Sequence, residues 1–345
     1  MKPLASEDLE YILRHTLTLW QRARGERIFI SGGTGFMGAW LLESLDFCNR
    51  ELSLGISATV LSRDPKAFTQ RMPHFSHHRS IRFIQGGISD FAFPAEDHAF
   101  VIHAATPTSA NVDAGELLKT QVNGTERILL FAKARATTNF LFVSSGAVYG
   151  RQPEGLGRIP EDYLGSPDWL DPNAVYAEGK RVSEQMCAIV ARDSDISFTI
   201  ARCFAFVGPH LPLDQHFAIG NFIGDAIAGR KITILGDGTP MRSYLYSADL
   251  AIWLWTMLLR ETAPQPIPNV FNVGSGEAIS IRDLAVTVAE EINPSIQIET
   301  VGQRTSSGTL EQYVPDVRKA ETVLGLHQLV GLREAIRRTT AWIPK

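Results

Sequence analysis

Cysteine is scarce in this chain of 345 residues: Cys48, Cys187 and Cys203 stand far apart. An odd, scattered set makes neither a disulfide framework nor a zinc site, and it suits a reducing compartment. Long apolar runs are also missing. The best candidate, Ala248 to Leu259, is broken by Asp249 and halted by Arg260, well short of the ~18 residues of a membrane span. The opening Met-Lys-Pro-Leu-Ala-Ser-Glu-Asp puts acids where a signal peptide needs an apolar core, so a soluble, cytoplasmic protein with no membrane partner is expected. Basic blocks are absent too. A formal net charge of −4 excludes nucleic acid and anionic membrane as main partners. No internal repeat, low-complexity tract or flexible linker interrupts the chain.

What is present is a rhythm. Residues 6 to 24 carry Leu9, Ile12, Leu13, Leu17 and Trp20 at helical steps, with Ser6 placed as an N-cap. Strand-like runs then alternate with helical ones. Strands are predicted over 27–31, 57–61, 81–84, 99–103, 140–144 and 197–201. Helices are predicted over 39–47, 65–72, 114–136, 175–192 and 281–292. Such alternation makes right-handed crossovers and an α/β fold with a doubly wound, parallel, Rossmann-type sheet. After residue 203 the alternation loosens, with proline and glycine clustered at 208–212 and 236–240. The expected organisation is an N-terminal helical extension (1–25), a dinucleotide-binding domain (26–203, with 244–275 returning to it) and a smaller interleaved C-terminal substrate lobe (204–243 and 276–345).

Between the first strand and the first crossover helix lies Gly32-Gly33-Thr34-Gly35-Phe36-Met37-Gly38. Glycines in such a turn allow the tight bend, the close approach of a pyrophosphate and close helix–strand packing. The helix start then offers unpaired N–H groups and a positive dipole end to the phosphates. Gly32, Thr34, Gly35, Phe36, Met37 and Gly38 are therefore candidate cofactor contacts. At the tip of the second strand, Ser62-Arg63-Asp64 has an arginine where an acid usually reads the ribose 2′-hydroxyl. A guanidinium pairs with a 2′-phosphate, so NADP is favoured over NAD. The alternative leaves Arg63 in solvent with Asp64 turned to the ribose.

Tyr176 and Lys180 stand four apart in Tyr-Ala-Glu-Gly-Lys, on one face of a helix. A nearby ammonium stabilises phenolate, so Lys180 is expected to draw the Tyr176 pKa towards neutral, where the phenol serves as acid and base. Ser144 and Ser145 close the strand Phe142-Val143-Ser144-Ser145, at the sheet end where open α/β folds bind ligands. Ser145 is the expected functional hydroxyl. His74, His77 and His78 lie close in sequence, but no neighbouring carboxylate or cysteine completes a metal shell, so a solvated loop and no metal are expected. Trp253 and Trp255 read as core. Trp169 reads equally as packing or as a wall of a ligand pocket.

Taken together, these pieces resemble the extended branch of the short-chain dehydrogenase/reductase superfamily, the NAD(P)-dependent nucleotide-sugar epimerases and dehydratases. The likeness spans nearly all of 26–343. It includes Ile102-His103-Ala104-Ala105, Val122-Asn123-Gly124-Thr125, Arg202-Cys203-Phe204-Ala205-Phe206-Val207-Gly208-Pro209, Gly236-Asp237-Gly238-Thr239-Pro240-Met241-Arg242-Ser243-Tyr244, Phe271-Asn272-Val273-Gly274-Ser275-Gly276 and Asp316-Val317-Arg318-Lys319-Ala320.

The resemblance implies a catalytic Ser145, Tyr176 and Lys180, with Ser62, Arg63, Ile88, Ala104, Ala105, Asn123 and Ser144 also facing the cofactor. It implies a nucleoside diphosphate sugar as substrate, met by Ser145, Asn221, Arg242 and Asp316, with Arg242 as diphosphate clamp. A homodimer paired through the helices at 114–136 and 175–192 is likewise implied. Two departures stand out. Gly146 and Ala147 replace the Asp-Glu pair of the 4,6-dehydratases and the lone glutamate of the decarboxylases, so any elimination needs another acid such as Glu178. Gly87 replaces an adenine-reading aspartate, leaving backbone or Asp90 to that task. The expected activity is a nucleotide-sugar 4-epimerase or close oxidoreductase, working by C4 oxidation, a keto intermediate and re-reduction. A one-way NADPH-dependent reductase of a keto-sugar or other carbonyl compound is the alternative that Arg63 supports. A non-catalytic dinucleotide sensor is the third reading, opposed by the intact Ser145, Tyr176 and Lys180.

Overall fold

Short runs of β-branched and aromatic residues, apolar on both faces, need cover from helices on both sides. A computed structural model describes every residue except 77, 107–111, 216, 303–310 and 345; His77 therefore lies outside the described residues. The runs form β1 (Arg27–Ser31), β2 (Ser57–Ser62), β3 (Ile81–Gln85), β4 (Phe100–His103), β5 (Asn139–Ser145), β6 (Ser197–Cys203) and β7 (Asn269–Val273). They join one seven-stranded sheet in the order β7-β6-β5-β4-β1-β2-β3. Parallel pairs link β1 to β2 and β4, β2 to β3, β4 to β5 and β5 to β6. Both faces of β4 and β5 are buried throughout. The expected Rossmann-type sheet is present. Beside β1 the strand order reverses, which opens a crevice at the carboxyl ends.

Helices α1 (Ser6–Thr16), α2 (Phe36–Glu51), α3 (Pro65–Arg71), α4 (Ala114–Ala134) and α5 (Val175–Arg192) accompany these strands. They are followed by α6 (Ala218–Ile227), α7 (Ser247–Leu259), α8 (Ile281–Ile292), α9 (Arg318–Leu324) and α10 (Leu332–Trp342). Beneath the sheet, Phe29, Phe91, Phe131, Phe140 and Phe198 share one core cluster. Trp253 and Trp255 on α7 are buried. No helix among the described residues is long and apolar enough to cross a membrane.

The N-terminal helix departs from expectation. It ends at Thr16, and Leu19–Ala23 forms a separate 3-10 turn. Thr16 Oγ1 donates back to the Ile12 carbonyl (2.7 Å) and accepts from Trp20 Nε1 (2.8 Å). That bond turns Trp20 onto the Trp255 ring at 4.8 Å, so tertiary packing overrides the helical spacing. Ser6 caps nothing: it is the first helical residue, after an Ala5 N-cap without a side-chain bond.

Two compact units divide the chain: residues 1–150, 166–203 and 251–271 form the first, and 151–165, 204–250 and 272–345 the second. The segment 151–165 thus clusters with the second unit rather than with the dinucleotide domain. In that second unit, Ile232–Ile234 pairs in parallel with Ile298–Thr300, and Met241–Arg242 pairs antiparallel with Ile279–Ser280. Asp249 accepts from the backbone N–H groups of Leu329 and Val330, both at 3.0 Å, which anchors the approach to α10.

Candidate active site

The glycine loop leaves β1 and enters α2. Gly32 has φ +80°, a left-handed value, and a side chain there would meet the Ala104 and Ala105 backbone at 2.6 Å. At Gly38 a Cβ would lie 2.3 Å from the Gly33 carbonyl carbon, so α2 crosses the loop at backbone contact. The α2 N-cap, Gly35, supplies no capping side chain. The first amides of α2, at Phe36, Met37 and Gly38, have no acceptor within the helix and point out of its start. This cradle fits a dinucleotide pyrophosphate.

At the ribose end, Ser62 is buried and its Oγ accepts from the Asp64 N–H at 3.2 Å. Arg63 is exposed. The Asp64 carboxylate accepts from Ala67 N–H at 2.9 Å and caps α3, so it does not turn inward. A residue missed in the sequence joins this end: Arg71, in the last turn of α3, donates to the Thr34 carbonyl at 2.7 Å. Its distance in sequence from the loop hid it; only the packing of α3 brings it back. Past β3, an ideal Cβ on Gly87 would lie 2.6 Å from Asp90 Oδ1, so the Asp90 carboxylate occupies the space a longer residue 87 would fill. Ile88 presses on Gly124 of α4, whose ideal Cβ would be 2.8 Å away.

The carboxyl end of β5 carries the polar centre. Ser145 is buried and accepts from Ala147 N–H at 3.1 Å, and its hydroxyl is near enough to Tyr176 to lower that phenol's pKa. Lys180 is buried, donates to the Val143 carbonyl at 2.7 Å and lies 4.8 Å from the centre of the Phe142 ring. Burial pulls Lys180 down to about 8. The expected depression of the Tyr176 phenol is reversed: burial holds it above its ordinary value, and the Ser145 hydroxyl only partly offsets that. The Lys180 ammonium is turned to the Val143 carbonyl instead.

Other assignments need correction. The Ser144 hydroxyl turns elsewhere: the residue is buried and its Oγ donates to Glu184 Oε1 at 2.6 Å. Asn123 lies on the exposed face of α4. Helical phase instead turns Gln121 towards α5, where its Nε2 donates to the Tyr176 carbonyl at 3.2 Å. Glu178 pairs with Arg181 at 3.6 Å. The histidines are not simply solvated either. Helix α2 presents carboxylates to them, with His78 2.7 Å from Asp46 and His74 3.8 Å from Glu43. No cluster of three or more metal-ligating side chains occurs among the described residues.

In the second unit, Asn221 is half-buried on α6. Arg242 pairs with Glu311. Asp316 is buried, bonds the Arg318 guanidinium at 2.9 and 3.0 Å, and accepts from Arg318 N–H at the start of α9. That carboxylate is taken up in a helix start and an ion pair rather than offered to a ligand. Trp169 is 78 % exposed, which is not a packed position.

The model of the NAD dependent epimerase/dehydratase family matches residues 28–274. The chain belongs to that family. It is 30 % identical over 315 residues to UDP-glucuronic acid decarboxylase 5 of Arabidopsis thaliana, spanning 90 % of this chain and 87 % of that one. Against UDP-glucuronic acid decarboxylase 3 of the same plant it is 31 % identical over 314 residues, 90 % of this chain and 86 % of that one. Among solved structures, a UDP-glucose 4-epimerase from Thermotoga maritima superposes with a TM-score of 0.76 at 21 % identity, covering 92 % of this chain and 98 % of that one. A UDP-glucuronic acid 4-epimerase from Bacillus cereus, solved with UDP-glucuronic acid and NAD, gives 0.75 at 23 %, with the same coverage. The family member described here is thus an enzyme of the extended short-chain dehydrogenase/reductase type, related to proteins that act on nucleotide sugars.

Proposed function

We propose that this protein is a 4-epimerase of a nucleoside diphosphate sugar, with a UDP-hexuronic acid as the first substrate to try. The observation that carries the reading is the gathering of buried Ser145 and Lys180 with Tyr176 at the end of β5, followed by a turn, Gly146–Tyr149, that holds no acid. Tyr176 removes the proton of the C4 hydroxyl and later returns it; Ser145 orients that oxygen. Lys180 stabilises the phenolate as it forms. A nicotinamide dinucleotide at the glycine loop supplies acceptance and return of the C4 hydride. The loop's open amides and the tight Gly32 and Gly38 positions support its binding there. Arg242 is our candidate for the diphosphate contact. Asp90 is our candidate for the adenine edge, since its carboxylate fills the space beside Gly87.

We read the dinucleotide as NADP, because Arg63 is exposed, the Asp64 carboxylate is engaged at α3 and Arg71 adds a guanidinium beside Thr34.

Likeness to UDP-glucuronic acid decarboxylases favours a second reading. Oxidation at C4 turns the C6 carboxylate of a uronic acid into a β-keto acid, which loses carbon dioxide readily. Incubation with UDP-glucuronic acid separates the two: UDP-galacturonic acid without gas supports the epimerase, and carbon dioxide with UDP-xylose supports the decarboxylase. In either case Tyr176→Phe is expected to lower kcat by about 100-fold or more, measured at saturating substrate. Unchanged turnover on every accepted sugar would remove Tyr176 from the chemistry.

A further inference from the structure

Behind Ser145 lies a polar cluster that the proposed chemistry does not use. Ser144 on β5 donates to Glu184 Oε1 on α5 at 2.6 Å. Arg202 on β6 grips the same carboxylate, Nε to Oε1 at 3.0 Å and Nη2 to Oε2 at 2.6 Å. Ser144 and Arg202 are paired neighbours across the two strands, and the guanidinium lies 4.7 Å from the Tyr149 ring centre. Glu184 sits one helical turn beyond Lys180, on the same face of α5.

The charges that Lys180 meets are few. On α5 they come from Glu184 and Cys187; on β6 from Cys203 and, through Glu184, from Arg202; on β4 from His103. Strand β5 offers the Val143 carbonyl and the Phe142 ring, which do not titrate. Burial pushes Cys203 up to about 12 and Cys187 higher still, so neither thiol is charged near neutral pH. Burial takes His103 down to about 3, which leaves it neutral. Of these groups, Glu184 is the one that brings negative charge at working pH.

We propose that Glu184 is the counter-charge that keeps Lys180 an ammonium during turnover, and that Arg202 sets how much of that charge Lys180 feels. Glu184 is thus a positioning residue, acting through Lys180 and holding the ends of β5 and β6 to the catalytic helix. The inference rests on the reading of Lys180 as the catalytic lysine. Its physical basis is simple. A buried ammonium sheds its proton early, and a nearby carboxylate delays that loss. Removing the carboxylate also leaves the Arg202 cation unbalanced, which works in the same direction. Removing Arg202 does the opposite.

The test is the pH profile of kcat for the full-length protein with UDP-glucuronic acid, where activity should fall as pH rises through about 8. Glu184→Gln should move that limb down by about one pH unit or more, and Arg202→Met should move it up. Glu184→Asp, which keeps the charge, should restore the original limb. A bridge of purely structural value predicts lower kcat in both variants with the limb unmoved, and that result would overturn the proposal. Carbon-13 NMR of Cε-labelled lysine, with Lys180 assigned from Lys180→Met, reads the same titration without turnover. Opposite movements there uphold the proposal even if no sugar is converted, whereas an unmoved Lys180 titration rejects it. Full activity of Lys180→Met would instead remove the catalytic reading of that lysine.

Discussion

Arg63 and Asp64 stand side by side after β2, yet α3 separates their roles. An aspartate directly before a proline-led helix is a strong N-cap, and its bond to Ala67 N–H takes the carboxylate away from the ribose. Arg63, exposed after β2, and Arg71, bonded to Thr34 of the glycine loop, are the guanidiniums at that end. Replacing each by alanine should weaken NADPH binding by about tenfold, the size of one charge-assisted hydrogen bond. NADH binding should change by less than about twofold, since it lacks the phosphate that these hydrogen bonds would reach. Fluorescence titration with both nucleotides decides it; equal losses would mean the arginines do not read the 2′-phosphate. At this scale motifs were informative where chemistry and spacing coincide. Ser145 and Tyr176, picked from their motifs, are brought close enough for the serine hydroxyl to act on the phenol. Ser144 turns its hydroxyl to Glu184 and Asn123 lies exposed, because adjacent positions differ in direction, not in motif. One strand residue alternates away from the site, and two helical steps turn a side chain to solvent.

Elements show a different balance. The start and type of nearly every strand of the sheet could be read from apolar runs, because buried parallel strands have little room for polar residues. The glycine loop was legible for the same reason: only residues lacking a Cβ fit there. Gly38→Ala would set a methyl 2.3 Å from the Gly33 carbonyl carbon and 2.4 Å from its oxygen. Overpacking of this kind costs about 1–3 kcal/mol, and here the loop must move to relieve it. Dinucleotide affinity should fall by about tenfold or more, a loss of ~1.4 kcal/mol, with a lowered Tm; unchanged affinity by calorimetry would show that the crossing is not tight. The break in the N-terminal helix was not legible. Its cause is a Trp20 contact with Trp255, 235 positions along the chain, which no local periodicity reports. The same holds for the buried ladder that ties β1 to α5. Ser31 Oγ lies 2.8 Å from His103 Nδ1, His103 Nε2 3.2 Å from Thr125 Oγ1, and Thr125 Oγ1 2.9 Å from Ser183 Oγ.

For the whole molecule, the outer faces of α4 and α5 bear on assembly. Leu118 and Leu130 on α4, and Val182 and Ile189 on α5, are exposed, from 38 % to 53 %. Exposed apolar side chains on two neighbouring helices are candidates for contact with a second copy related by a two-fold axis. The protein should sediment as a dimer, and Leu130→Glu with Ile189→Glu should yield monomers that keep their secondary structure. A wild-type chain that sediments as a monomer at micromolar concentration would remove this expectation. Pattern alone was enough for the α/β class, six of the seven sheet strands and the glycine turn between β1 and α2, since each follows from local sterics or from spacing along one element. Folding was needed to reveal that 151–165 leaves the first unit, that Arg71 returns to the loop, that Asp64 is engaged as a cap and Asp316 with Arg318, and that Glu184 is held by Ser144 and Arg202. Those outcomes depend on which charges share a buried space, and burial is a property of the folded chain rather than of any segment.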